Sequence, residues 1–82
     1  MSPTSILLVD DEPLMRLSML DALKAVGYDV QAAATGNEGK DLLLKGQFDI
    51  LITDLQLPGI DGLGLLQLCK EPSRRTEAIM IT

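Results

Sequence analysis

Ser5-Ile6-Leu7-Leu8-Val9-Asp10-Asp11-Glu12-Pro13 sets the reading of the whole chain. Four apolar residues run without a polar break and stop at two acids. A run that is apolar on both faces suits a central strand of a parallel sheet. Pro13 stands where the first turn of a helix tolerates proline, behind Asp11 and Glu12. The same grammar returns at Ile50-Leu51-Ile52-Thr53-Asp54, which again stops at an acid, and Leu57-Pro58-Gly59 then marks a turn.

Working outward, helical and strand-like stretches alternate. Met15, Met19, Ala22 and Val26 recur at helical steps, Leu20 and Leu23 widen that stripe, and Gly27 is placed to end the helix. Tyr28 to Ala33 reads as a second, weaker strand. Thr35-Gly36-Asn37-Glu38 matches a capping box, predicting a helix through Leu44 or Lys45 that Gly46 closes. Gly62 to Cys69 or Lys70 reads as a third helix with Asp61 as its cap, Pro72-Ser73-Arg74-Arg75 as a solvated loop, and Ala78 to Thr82 as a fourth strand. The order β-α-β-α-β-α-β implies right-handed crossovers and a parallel sheet with helices on both faces. One domain spans residues 1–82.

Composition narrows the chemistry. The chain has 82 residues, 46% of them hydrophobic, and carries 12 Asp and Glu against 7 Lys and Arg, a net charge of −5. That charge opposes a nucleic-acid surface, which needs excess positive charge. With no His and one Cys, zinc sites of His and Cys ligands, disulfide frameworks and His-assisted nucleophiles are excluded. A lone Cys suits a reducing, cytoplasmic setting; Cys69 itself reads as a small buried hydrophobe. No run reaches the roughly 18 apolar residues of a membrane span, and the first apolar run, Ile6–Val9, is too short for a signal peptide. A chain of this length buries only roughly 60% of its unfolded surface, and its only aromatics are Tyr28 and Phe48.

In open parallel sheets, sites form at the carboxyl ends of strands. Asp10, Asp11 and Asp54 all fall there. If the first and third strands are neighbours, three carboxylates crowd one edge and repel unless a cation lies among them. Oxygen ligands select a hard ion, and one or two carboxylates with waters are the usual setting of Mg²⁺. A carboxylate there can also attack phosphorus. Thr82 falls on the same edge. On local sequence alone Asp10-Asp11-Glu12 read equally well as helix-capping acids.

Ile6-Leu7-Leu8-Val9-Asp10-Asp11-Glu12-Pro13 resembles the opening of the response-regulator receiver domain. Asp49-Ile50-Leu51-Ile52-Thr53-Asp54-Leu55-Gln56-Leu57-Pro58-Gly59-Ile60-Asp61-Gly62 is similar to its phosphoacceptor segment, and Ala78-Ile79-Met80-Ile81-Thr82 to its fourth strand. The resemblance implies a flavodoxin-like, doubly wound α/β fold of strand order 2-1-3-4-5, the order known for a receiver of this family. It implies that Asp54 accepts a phosphoryl group from a phosphohistidine of a sensor histidine kinase or phosphotransfer protein. Asp11 would be a direct Mg²⁺ ligand supported by Asp10, with the backbone carbonyl of Gln56 a further ligand. Thr82 would contact the phosphoryl group, and Pro58, Gly59 and Gly62 would shape the adjoining loop. Such a domain is a signalling receiver that assists its own phosphotransfer and dephosphorylation, not an enzyme acting on other substrates.

Family members continue through a fourth helix, a fifth strand bearing a phosphoryl-pairing lysine, and a fifth helix. None of these follows Thr82, so the sequence is expected to be an incomplete portion of a longer regulator. Its strand Ile79-Met80-Ile81 would then be an apolar edge open to a homodimer or strand-swapped dimer. Two other readings compete. One is a phosphate-inert module that only dimerises or docks a partner. The other is a phosphatase of the haloacid-dehalogenase type; it wants a second Asp two residues after the nucleophile, where this sequence has Gln56.

Overall fold

The computed structural model describes residues 3–55, 57, 62–71 and 74–81. Seven elements follow in chain order: β1 (Ser5–Val9), α1 (Pro13–Ala25), β2 (Asp29–Ala33), α2 (Gly36–Lys45), β3 (Ile50–Asp54), α3 (Gly62–Cys69) and β4 (Glu77–Ile81). All strand pairs are parallel, in the order β2-β1-β3-β4. This is the flavodoxin-like arrangement, in the first four positions of the expected order. Among the described residues no helix is long and apolar enough to cross a membrane.

The two runs that stop at acids are the central strands. Ile6 through Val9 are almost wholly buried, as are Leu51 and Thr53. The period-2 pleat sends their side chains alternately to two faces. Leu7, Val9 and Leu51 join Ala33, Leu43, Phe48, Leu65 and Cys69 beneath α2 and α3. Ile6, Leu8, Val30 and Ile52 form the opposite layer against α1. Of the two aromatics, Phe48 is in the core and Tyr28 is 40% exposed.

The stripe of α1 departs from the expected one. Met15 and Val26 are more than half exposed, and Ala22 is exposed as well. The residues turned inward are Arg16, Met19, Leu20 and Leu23, at the i, i+3, i+4, i+7 spacing of one helical face. Reading hydrophobicity alone begins the stripe one residue early, because its true first member is an arginine. Gly27 closes the helix at φ 101°, in the left-handed region where glycine avoids a Cβ penalty, and its N–H bonds the Lys24 carbonyl at 3.0 Å.

Smaller adjustments follow the same logic. Strand β2 begins at Asp29 and β4 at Glu77, and β3 extends to Asp54. The Thr35 hydroxyl accepts the Glu38 N–H at 3.1 Å, which is the Thr half of the capping box. Gly39 lets α2 lie close on β1, since a Cβ there would meet Val9 Cγ2 at 2.8 Å. The expected solvated loop is only partly so. Arg75 is exposed, but Arg74 packs against α2 with its side chain 19% exposed, while Pro72 and Ser73 lie outside the described residues.

Candidate acidic site at the carboxyl edge of the sheet

Register builds the site. Strand β1 pairs with β3 so that Val9 stands opposite Thr53. The next residue on each strand is an aspartate, so Asp10 and Asp54 leave the sheet side by side. Asp11 follows in the β1–α1 turn. One carboxylate oxygen from each of Asp10, Asp11 and Asp54 lies within 4.8 Å of the others.

The three acids differ in environment. Asp10 is 3% exposed, Asp54 half-buried and Asp11 exposed. Asp10 Oδ1 accepts the Glu12 N–H at 2.9 Å, closing the turn that starts α1. Its backbone carbonyl accepts Arg16 Nη1 at 2.8 Å, and its own N–H extends the ladder to the Ala33 carbonyl at 3.1 Å. Asp10 is thereby pinned from three directions. Glu12 is the capping acid: its Oε2 accepts the Met15 N–H at 2.6 Å. The metal and capping readings of Asp10-Asp11-Glu12 were therefore not exclusive, since Glu12 caps α1 while Asp10 and Asp11 face Asp54.

Asp54 is supported from beneath. The buried Thr53 hydroxyl donates to the Asp54 carbonyl at 3.0 Å. Gly62, the first residue of α3, lies directly on this backbone: a Cβ there would collide with the Asp54 carbonyl and stand 3.0 Å from Leu55 Cα. The Gly62 N–H bonds the Leu55 carbonyl at 3.1 Å. On the other side Asp54 pairs with Ile81, the residue before Thr82. Thr82 and Gln56 lie outside the described residues, as do Pro58, Gly59 and Asp61.

Sequence reading missed Arg16 and Thr53. The available signal for Arg16 was a basic side chain on the first turn of α1, where it can fold back onto the end of β1. Thr53 was absorbed into an apolar run because a β-branched residue fits a buried strand whether or not its hydroxyl is used.

The donor set suits a hard divalent cation. Among the described residues the one ion pair joins Arg74 to Glu71, so none of the three carboxylates is ion-paired, and the nearby Arg16 guanidinium is held on the Asp10 backbone carbonyl instead. Mg²⁺ is usually held by one or two carboxylates completed by waters, and this cluster offers carboxylates enough for that, with one to spare.

Comparison with known proteins agrees with this geometry. The response regulator receiver domain family matches residues 6–82, and the chain belongs to that family. It is 37% identical over 81 residues to the transcriptional regulatory protein TrcR of Mycobacterium tuberculosis, covering 99% of this chain but 32% of that one. The chain thus spans about a third of that relative's length. The response regulator TrrA of Thermotoga maritima, solved in complex with Mg²⁺–BeF, is 31% identical with a TM-score of 0.85, over 94% of this chain and 67% of that one. The chemotaxis response regulator CheY4 of Vibrio cholerae is 28% identical with a TM-score of 0.89, over 96% of this chain and 68% of that one. The chain is a receiver domain of the two-component signalling class.

Proposed function

We propose that this receiver accepts a phosphoryl group on Asp54 from a phosphohistidine of a sensor histidine kinase or phosphotransfer protein, with Mg²⁺ held by Asp10, Asp11 and Asp54. The observation carrying this reading is the convergence of the three carboxylates within 4.8 Å at the carboxyl edge of β1 and β3, none of them ion-paired with a described Lys or Arg.

The chemistry follows from the placement. A carboxylate oxygen of Asp54 attacks phosphorus, the P–N bond to imidazole breaks, and its electron pair stays on the departing nitrogen. Mg²⁺, when bound, offsets the negative charge on the transferring group. Asp10 is fixed by its bond to Glu12, which leaves its second oxygen for the ion, and Asp11 sits in the open mouth of the turn. The backbone carbonyl of Gln56 is proposed as a further ligand and the Thr82 hydroxyl as a phosphoryl contact, both carried over from the family pattern. Phosphorylation replaces one negative charge by roughly two and adds acceptor oxygens, which can bias two packings of the whole receiver.

A cytoplasmic location belongs to the same reading. A homodimer or strand-swapped dimer would engage β4, whose Ile79 is 49% exposed. The net charge of −5 disfavours direct nucleic-acid binding by this segment.

Intact mass spectrometry of the full-length protein incubated with Mg²⁺ and acetyl phosphate tests the proposal. One added phosphoryl group is expected, absent in Asp54→Asn and absent when EDTA replaces Mg²⁺. A full-length protein that takes up no phosphoryl group is instead the inert interaction module. Sustained turnover of phosphate esters would make it a phosphatase.

A further inference from the structure

We propose that the Thr53 hydroxyl is a positioning group for phosphoryl transfer: by fixing the peptide that follows Asp54, it holds the Asp54 carboxylate in line for attack. The proposal rests on the reading of Asp54 as the phosphoacceptor. Thr53 is wholly buried, and among the described residues the buried polar side chains are Asp10 and Thr53. Both stand at the ends of the central strands, and both bond to backbone beside the acidic cluster.

A hydroxyl taken out of water needs an acceptor. Thr53 shares a strand face with Leu51, which packs in the apolar layer beneath α2 and α3. Its partners across the sheet are Val9 and Met80, and neither side chain offers an oxygen. Valine has the same shape and would fill this place without the need. The hydroxyl finds its acceptor in the Asp54 carbonyl at 3.0 Å.

That carbonyl belongs to a peptide held at both edges. Its other polar group, the Leu55 N–H, reaches the Ile81 carbonyl at 3.3 Å, longer than the usual span of about 2.7–3.2 Å. The Thr53 bond is therefore the tighter restraint. Gly62 packs against the same carbonyl, where an added Cβ would collide, and so limits its room to turn. Turning this peptide plane is rotation about the Cα–C bond of Asp54, so the restraint acts on the backbone from which the carboxylate projects. An attacking oxygen must lie in line with the breaking bond at roughly 3–3.5 Å, and a misplacement of about 1 Å can slow a reaction about a hundredfold.

The test compares Thr53→Val, which removes the hydroxyl and keeps the shape, with Thr53→Ser, which keeps the hydroxyl and removes a methyl. The full-length protein at saturating Mg²⁺ receives acetyl phosphate. The Asp54–phosphorus bond forms as the P–O bond to acetate breaks, and intact mass follows the uptake over time. Urea midpoints are measured in parallel. Thr53→Val is expected to take up the phosphoryl group roughly three- to tenfold more slowly than the unsubstituted protein, and Thr53→Ser to stay within about twofold of it. Stability should run the other way: Thr53→Ser should unfold at lower urea than Thr53→Val, because it leaves a methyl-sized void in the core. Rates that follow the urea midpoints, with Thr53→Ser the slower variant, would make Thr53 a packing residue and overturn the proposal, as would equal rates in all three proteins. An unsubstituted protein that takes up no phosphoryl group overturns the assignment of Asp54 itself, and the proposal with it.

Discussion

Arg16 Nη1 donates to the backbone carbonyl of Asp10 at 2.8 Å, so the first inward-facing residue of α1 clasps the end of β1. The bond ties the helix that covers one face of the sheet to the residue that opens the acidic site. A shift of α1 would therefore move Asp10 as well.

Removing that clasp leaves the carbonyl of a buried residue without its charged donor. Arg16→Met should destabilise the fold by about 1–3 kcal/mol and weaken Mg²⁺ binding in the same variant. Urea denaturation and a metal titration measure the two effects. Unchanged values for both would show the clasp to be incidental.

The three carboxylates oppose one another until a cation arrives. Asp54→Asn should raise stability in EDTA by about 0.5–1 kcal/mol while abolishing phosphoryl uptake. In the unsubstituted protein, Mg²⁺ at one hundred times its dissociation constant should add about 2.7 kcal/mol, and chelation should remove it. Thermal melts with and without the ion decide this; a variant less stable than its parent in EDTA would contradict the charge argument.

Gly62 is where α3 meets the backbone of Asp54. Gly62→Ala forces a Cβ onto the Asp54 carbonyl and should cost about 1–3 kcal/mol, with slower phosphorylation because Asp54 must shift. Gly27→Ala serves as a contrast. Its cost is the positive φ, with nothing within 4 Å of the added Cβ, so phosphorylation should keep its rate. Equal rates for both variants would refute the close-approach argument.

Burial pushes the Cys69 thiol above its ordinary range, with the nearby Arg74 guanidinium pulling more weakly the other way. The folded protein holds its thiol proton to higher pH than the unfolded chain does. Its contribution to stability is thus complete below the ordinary thiol pKa and lost as pH rises through the folded value. Alkylation of Cys69 at pH 8 should be slow in the folded protein and fast in urea. Equal rates would place the thiol outside the core.

Most of the architecture was legible because it rests on local pattern. Ile6–Val9 and Ile50–Ile52 are unbroken apolar runs, which suit central parallel strands, and Gly27, Thr35 and Gly46 punctuate the helices through backbone preferences that need no distant partner. The face of α1 was misjudged by one position because the inward stripe begins with Arg16. Its aliphatic stem packs inward while its charge finds a carbonyl, and hydropathy cannot register that. Arg74 was read as solvated for the same reason. Its acceptor, the Leu43 carbonyl, lies 31 residues away.

The order of residues by itself determined that strands alternate with helices, that two central strands end in acids, and that an oxygen-rich edge was available for a hard cation. Only the tertiary structure decided that β1 and β3 are neighbours in a register that sets Asp10 beside Asp54, that the Glu12 side chain caps the helix, and that Arg16 and Arg74 each donate to a backbone carbonyl, of Asp10 and Leu43. Strand pairing and side-chain reach depend on how separate segments pack, and a linear pattern carries the first kind of information without the second.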